Sequence, residues 1–178
     1  MRYLKKMKGS TISPPRVSVL EIFWSWVGSF LGIAAVSYIH FNMFDGLDSV
    51  MLIGSFGASA VLIYGAVKSP LAQPRNFIGG HLLSAAIGVT FYKLFPDQMW
   101  LASSLSVASA IAGMHATKTL HPPGGATALI AVIGSSKIHE LGYLYILMPV
   151  GLGALLMLVV ALLVNNIPKK RSYPEFWV

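Results

Sequence analysis

Two segments of the sequence combine histidines, basic residues, prolines and a Gly-Gly pair, and they are the positions at which we look for chemistry. The first is KSPLAQPRNFIGGH at 68–81, and the second is HATKTLHPPGGAT at 115–127. A helix that begins at such a Gly-Gly pair offers unpaired backbone N–H groups and a partial positive charge. Glycine also lets a ligand approach the backbone without a Cβ in the way. With Arg75 and Lys118 nearby as full cations, the pattern favours binding of a small anion.

The two segments share their surroundings. Each follows an Ala-Ser-Ala run, at 58–60 and 108–110, and each precedes an alanine-rich stretch that ends in Ile-Gly. We interpret this as a weak tandem repeat of a helix pair, in which matching parts face the same side of a membrane and two helix N-termini converge. The predicted substrate-binding residues are the cations, the glycine pairs and the side chains around them: Arg75, Asn76, Gly79, Gly80, His81, Lys118, Thr119, His121, Pro122, Pro123, Gly124, Gly125 and Thr127.

A purely structural interpretation stays open for each of these features. The Pro-Pro-Gly-Gly run at 122–125 is compatible with a tight turn, the two cations with charges that set topology, and the histidines with a satisfied core. His81, His115 and His121 raise the question of a metal, but no carboxylate or thiolate accompanies them, and the chain has no cysteine. We therefore predict no metal, no cofactor and no catalytic residue, and a protein that is not an enzyme.

The amino-acid composition indicates whether the protein lies in water or in a lipid bilayer. Of the 178 residues, 55% are hydrophobic and 11% are charged, whereas an average soluble domain has about 25% charged residues. This excludes an ordinary soluble domain and makes the lipid bilayer the main partner. Eight of the 13 Lys and Arg residues lie before residue 17 or after residue 168. We interpret them as anchors to an anionic membrane surface, and we expect no nucleic acid as a partner.

Six uncharged windows of 17 to 28 residues predict the elements that hold the two segments in place. The expected architecture is an all-α, polytopic transmembrane bundle of about six membrane segments, with one short or broken helix after His-Pro-Pro. The predicted domain organisation is a basic tail at 1–20, a transmembrane domain at 21–165 and a second basic tail at 166–178. The predicted helices cover 22–39, 50–67, 77–92, 100–117, 123–134 and 143–164.

Charge placement orients this bundle. With six crossings and both termini in the cytoplasm, eleven basic residues lie inside and only Lys93 and Lys137 lie outside, as the positive-inside rule expects. A re-entrant fifth segment, which would place the C-terminus outside, gives a weaker bias. We predict a plasma-membrane protein with a retained first helix. Many small residues on the helices indicate close helix packing, and the small size of the bundle makes a homo-oligomer plausible.

The two segments also resemble a known family. The runs HPPGGATAL at 121–129, SPLAQPRN at 69–76 and GGH at 79–81 are similar to motifs of the HPP family of integral membrane proteins, and the likeness extends roughly from residue 21 to 164. The resemblance implies transport of nitrite or, more broadly, of a small monovalent anion by a channel or secondary transporter. Two rival classes stay open: a membrane-embedded metal-dependent enzyme, and a membrane interaction subunit that transports nothing.

Overall fold

The computed structural model of the protein describes residues 7, 13–42 and 53–178, and this part of the chain forms helices without any strand. The seven α-helices of the described residues are α1 (Val19–Asn42), α2 (Gly54–Ala60), α3 (Pro74–Leu94), α4 (Met99–Ala116), α5 (Pro122–Ile133), α6 (Ser136–Leu141) and α7 (Leu152–Val164). A π-helical turn, Val61–Gly65, continues α2, and a second one, Ile146–Gly151, leads into α7. A short 3-10 turn, Pro70–Ala72, precedes α3.

The predicted all-α class is confirmed, and the predicted helices lie within a few residues of the observed ones. The start of the second predicted helix, at 50–52, lies outside the described residues. Helix α6 was not predicted, because its six residues include Lys137, His139 and Glu140 and lack an apolar stripe. The short helix expected after His-Pro-Pro is α5.

Helix length supports fewer membrane crossings than charge placement predicts. Among the described residues, three helices are long and apolar enough to cross a bilayer, namely Val19–Asn42, Pro74–Leu94 and Ile146–Val164. Gly54–Gly65 and Pro122–Ile133 are shorter apolar helices. At 1.5 Å per residue, twelve residues rise about 18 Å, which is less than the roughly 30 Å of the hydrocarbon core. Six crossings therefore stay a prediction.

One end of the bundle gathers most of the basic residues. The Tyr173 hydroxyl in the C-terminal tail donates to the Ala72 carbonyl at 2.8 Å, and the Arg75 guanidinium donates to the Thr117 carbonyl at 3.0 Å. These contacts join the tail, the 3-10 turn, the start of α3 and the end of α4. We call this region the basic end. The cations in these segments, or within a few residues of them, are Lys68, Arg75, Lys118, Lys169, Lys170 and Arg171.

The two other lysines of the described residues, Lys93 and Lys137, lie at the opposite end of the bundle. The Lys93 ammonium lies 5.8 Å from the centroid of the Tyr143 ring. His139 in α6 stacks on Tyr92 at 3.8 Å, and its ring contacts the Val132 carbonyl near the end of α5. Helix α5 therefore starts at the basic end and finishes at the opposite end. This path agrees with a crossing segment better than with a re-entrant one.

Arg171 corrects one expectation about the terminal charges. The side chain is buried, and its guanidinium forms an ion pair with Glu21 at 2.6 Å. It also donates to the Asn165 side chain at 3.1 Å and to the Ser25 hydroxyl at 2.8 Å. Arg171 thus fastens the end of the chain to the start of α1, so it is not available as an anchor to the membrane surface.

Close contact between α3 and α5 depends on two glycines of α3. A Cβ added at Gly88 would lie 2.5 Å from the Ala128 carbonyl oxygen, and one added at Gly80 would lie 2.6 Å from the His121 Cβ. Apolar side chains supply little driving force for association in lipid, so small residues that allow close van der Waals packing take that role. The small residues on these helices therefore pack helices together, as the sequence indicated.

We predict that Gly88→Ala destabilises the protein by about 1–3 kcal/mol, because the new methyl group would have to displace backbone rather than a flexible side chain. The measurement is the midpoint of thermal unfolding in detergent. Gly57→Ala is the matched control, because a Cβ at Gly57 would have no heavy atom within 4 Å. Equal midpoints for the two variants would show that α3 and α5 do not pack as described.

We predict that Ser136 and Ser172 face opposite sides of the membrane, with Ser172 in the cytoplasm. The chain has no native cysteine, so Ser136→Cys and Ser172→Cys would each introduce its only thiol. An impermeant maleimide added to intact cells should label the first variant and should label the second only after the membrane is opened. Labelling of both variants in intact cells would contradict the orientation and the even number of crossings.

Candidate functional site: a buried histidine and hydroxyl network

The most polar part of the buried core lies where α2, α3 and α5 meet. Ser55 and Ser59 come from α2, His81 from α3, and His121 and Thr127 from the start and the middle of α5. Four of these side chains are fully buried and Ser55 is 1% exposed. We call these five residues the histidine–hydroxyl network.

The network is a continuous chain of short hydrogen bonds. The Ser59 hydroxyl lies 2.7 Å from His81 Nε2 and 2.9 Å from His121 Nε2, so it bridges the two imidazole rings. His81 Nδ1 lies 2.7 Å from the Thr127 hydroxyl, which lies 2.8 Å from the Ser55 hydroxyl. The two ring centroids are 4.9 Å apart.

A backbone carbonyl sets the direction of this chain. His121 Nδ1 lies 2.8 Å from the Leu71 carbonyl oxygen, which can only accept, so Nδ1 holds a proton. In a neutral His121, Nε2 then accepts from the Ser59 hydroxyl, and the Ser59 oxygen is free to accept from His81 Nε2–H. His81 Nδ1 lies beside the Thr127 hydroxyl, whose proton is directed to the Ser55 hydroxyl. Each imidazole nitrogen thus has an oxygen partner within hydrogen-bond distance.

The aromatic surroundings shield the network from water. Phe77 contacts both rings edge-on, with centroids 5.3 Å from His81 and 5.2 Å from His121, and Phe56 contacts His81 at 5.5 Å. Phe56 and Phe77 are themselves fully buried. A buried polar group that loses its partner in such surroundings pays its full desolvation penalty, so the five residues depend on one another.

Local sequence explains how the 3-10 turn reaches His121. The Ser69 hydroxyl accepts the Leu71 N–H at 3.2 Å and so caps the turn. The Gln73 amide donates to the Val67 carbonyl at 3.0 Å and to the Ser69 carbonyl at 2.9 Å. Asn76 donates to the Leu120 carbonyl at 2.9 Å. The turn is thereby fixed, and the Leu71 carbonyl points at the N-cap residue of α5.

The structure does not show the expected helix start at the Gly-Gly pair of the first segment. Phe77 N–H already donates to the Gln73 carbonyl at 2.8 Å, so Gly79 and Gly80 lie inside α3, where their N–H groups belong to the helix. In α5, Pro122 and Pro123 have no N–H, and Gly124 donates to the His121 carbonyl at 2.8 Å. The N–H group of Gly124, one of the predicted donors, is therefore already bonded within the first turn of α5.

Some of the glycines and prolines of the motifs have packing roles, and others do not. A Cβ at Gly79 would overlap Thr119, and one at Gly124 would lie 2.8 Å from the Ser84 hydroxyl oxygen. A Cβ at Gly125 would meet only Val107, at an ordinary 3.9 Å. Pro123 is buried, whereas Pro122 is exposed.

The polar residues predicted for the site divide into two groups. His81, His121 and Thr127 come together in the buried network, as the convergence of the two segments predicted. Arg75, Lys118 and Thr119 lie at the basic end outside it, and Thr119 contacts the Thr117 hydroxyl at 2.7 Å. Lys118 is exposed and has a positive φ of 56°, which turns the chain between α4 and α5. Whether any of these residues binds a substrate stays a prediction.

Ser55 and Ser59 were missed by sequence reasoning, although a signal was present. Their spacing of four places both hydroxyls on one face of α2. Such a pair inside an apolar helix needs partners within the bundle, because lipid offers none. The sequence interpretation treated Ser59 only as part of the Ala-Ser-Ala run at 58–60 and gave Ser55 no role.

The histidines do not form a three-ligand metal site in the described structure. No group of three or more His, Cys, Asp or Glu side chains among the described residues could hold a metal ion. His115 is exposed near the end of α4, away from the buried pair. All four ring nitrogens of His81 and His121 lie within hydrogen-bond distance of oxygen atoms.

Fold and core together define a helical integral membrane protein with a buried polar network. The family model described as "HPP, transmembrane region" matches residues 14–174. The chain belongs to this family, which confirms the resemblance found in the motifs.

Comparison with curated proteins gives relatives but no activity. Two proteins of Dictyostelium discoideum, each named only as a transmembrane protein, are 48% identical over 180 residues and 46% identical over 184 residues. Each match covers 99% of this chain but only 58% and 64%, respectively, of the relatives' own lengths. No solved structure matches the chain.

We predict that Ser59→Ala destabilises the protein by about 1–3 kcal/mol, because it leaves a nitrogen of each buried imidazole without its partner. The readout is thermal unfolding in detergent. Ser104→Ala is the control, because Ser104 is exposed and donates only to the Trp100 carbonyl one turn earlier. If the two variants unfold at the same temperature, the bridge at Ser59 does not hold the three helices together.

Proposed function

We propose that the protein moves a small monovalent anion, most simply nitrite, across a plasma membrane in which both termini face the cytoplasm. Membership of the HPP family supports a transport role, because the family resemblance implies movement of nitrite or a similar anion. The finer assignment rests on the chemistry of the basic end and of the network beneath it.

The observation that carries the proposal is the position of a cationic rim over a buried set of imidazole and hydroxyl groups. Arg75 lies in the first turn of α3, and His81 lies six residues further along the same helix. Six residues correspond to about 9 Å of helix rise. An anion attracted by Arg75 and Lys118 would therefore meet imidazole and hydroxyl groups within one short step.

The absence of buried carboxylates from the described core favours an anion over a cation. Glu21, Asp97, Glu140 and Glu175 all keep part or all of their side chains exposed. Cation pathways through membranes commonly use acidic side chains, whereas imidazole N–H and hydroxyl groups can replace water around an anion. Entry would require the 3-10 turn or the His121 ring to move, because both cover the network.

Nitrite uptake into proteoliposomes containing only this protein tests the proposal. Uptake above that of empty vesicles is the expected result, with competition from nitrate, formate and chloride defining the selectivity. Vesicles that take up no nitrite and none of these competing anions would overturn the proposed function.

We predict that Lys118→Gln lowers the apparent affinity for nitrite by about 1 kcal/mol, or roughly fivefold, since it removes one exposed cation from the rim. The deficit should shrink as ionic strength rises, because salt already screens that charge. Uptake rates at varied nitrite and salt concentrations give both numbers. Lys137→Gln, at the opposite end, is the matched control, and an equal loss in both variants would contradict a role for the basic end.

A further inference from the structure

Two adjoining cavities lie beside the start of α1 at the basic end, outside the histidine–hydroxyl network. The first has a volume of about 370 Å³ and is lined by Lys68, Ser69, Lys170 and Arg171 among others. The second has a volume of about 300 Å³, and its lining includes Ser18, Trp24 and Lys169. Glu21 and Lys170 line both cavities, so the two adjoin, and we call them together the recess.

The recess is strongly cationic. Its one carboxylate, Glu21, is already engaged by Arg171 at 2.6 Å, and Arg171 makes further hydrogen bonds to Ser25 and Asn165. Lys68, Lys169 and Lys170 are exposed, and no carboxylate of the described residues neutralises them. Three ammonium groups around one recess suit an anionic ligand, and compact ammonium groups bind phosphate well.

Two hydroxyl groups at the recess can also donate hydrogen bonds to an anionic ligand. The Ser18 oxygen accepts the Glu21 N–H at 3.2 Å, and the Ser69 oxygen accepts the Leu71 N–H at 3.2 Å. Because both oxygens act as acceptors in these bonds, each hydroxyl proton is available to a ligand. Phosphate oxygens accept such bonds, so the recess combines charge with hydrogen bonding.

The surroundings indicate that the phosphate belongs to a lipid. Along α1, next to the recess, Leu20 is 59% exposed and Phe23 is 53% exposed. Trp24, which lines the second cavity, supplies the amphipathic ring that is typical of the membrane interface. Acyl chains could lie along this apolar side of α1 while the headgroup occupies the recess.

We propose that this recess binds the headgroup of an anionic phospholipid and thereby fastens the first helix and the C-terminal tail to the membrane surface. A bound headgroup would touch the start of α1, the 65–69 connection and the residues around Lys170 at the same time. Binding should therefore stabilise the folded protein through mass action. This proposal does not depend on the transported substrate.

Thermal unfolding of the whole protein in a neutral detergent tests the idea with three additives: phosphatidylglycerol, phosphatidylcholine and inorganic phosphate. We expect phosphatidylglycerol to raise the unfolding midpoint by several degrees, as saturating ligand does for a chain of this size. Phosphatidylcholine and inorganic phosphate at the same concentration should give little shift. An equal shift with both lipids would overturn the proposal, and an equal shift with inorganic phosphate would assign the recess to a free anion.

A charge variant locates the effect. Lys68→Gln combined with Lys170→Gln should lose the shift caused by phosphatidylglycerol, while Lys137→Gln, at the opposite end, should keep it. Native mass spectrometry of the unmodified protein gives a second readout, in which phosphatidylglycerol should stay bound in preference to phosphatidylcholine. Retention of the full thermal shift by the double variant, or equal retention of the two lipids, would overturn the assignment.

Discussion

The position of one hydroxyl group, that of Ser59, determines how α2, α3 and α5 are held together. It lies within hydrogen-bond distance of two buried imidazoles, and the outer nitrogens of those rings are bound to the Leu71 carbonyl and the Thr127 hydroxyl. No water is available in a lipid-embedded core to replace a missing partner, so the network is stable only as a complete set. The close approach of α3 that Gly80 permits brings the backbone carrying His81 against that carrying His121. Glycine packing and polar satisfaction are therefore two parts of one constraint.

Four of the five residues of the histidine–hydroxyl network lie on the two short apolar helices, α2 and α5, or at their ends. Ser55 and Ser59 lie on α2, Thr127 lies on α5, and His121 is the N-cap residue of α5. Helix α2 passes into a π-helical turn after Ala60, and α5 begins with two prolines, so both are interrupted near the basic end. Interrupted helices around a polar site are a recurring arrangement in secondary transporters, because irregular backbone is tolerated where it faces a site instead of lipid.

Sequence reasoning predicted the helices well because charges are excluded from apolar segments, which makes their limits visible. It also predicted that His81, His121 and Thr127 come together, because the two segments were interpreted as a repeat with matching parts on one side. It failed for Ser55 and Ser59, whose hydroxyls are indistinguishable from small packing residues until their partners in another helix are known. It failed for Gly79 and Gly80 because the start of α3 lies at Pro74, five residues before the first of them, and a glycine pair does not by itself mark a helix end.

The separation of charge from the buried core has a physical reason. A lysine or arginine placed among His81, His121 and Thr127 would lose its hydration, and no buried carboxylate of the described residues would compensate it. At the basic end the same cations keep contact with water and still produce an attractive potential over the entry. If the proposed function holds, imidazole and hydroxyl groups of the core can solvate a small anion without holding it as strongly as a buried ion pair would. Release is as necessary as binding for any transported ion, and under the proposed function a polar network without buried carboxylates, below a cationic rim, would allow both.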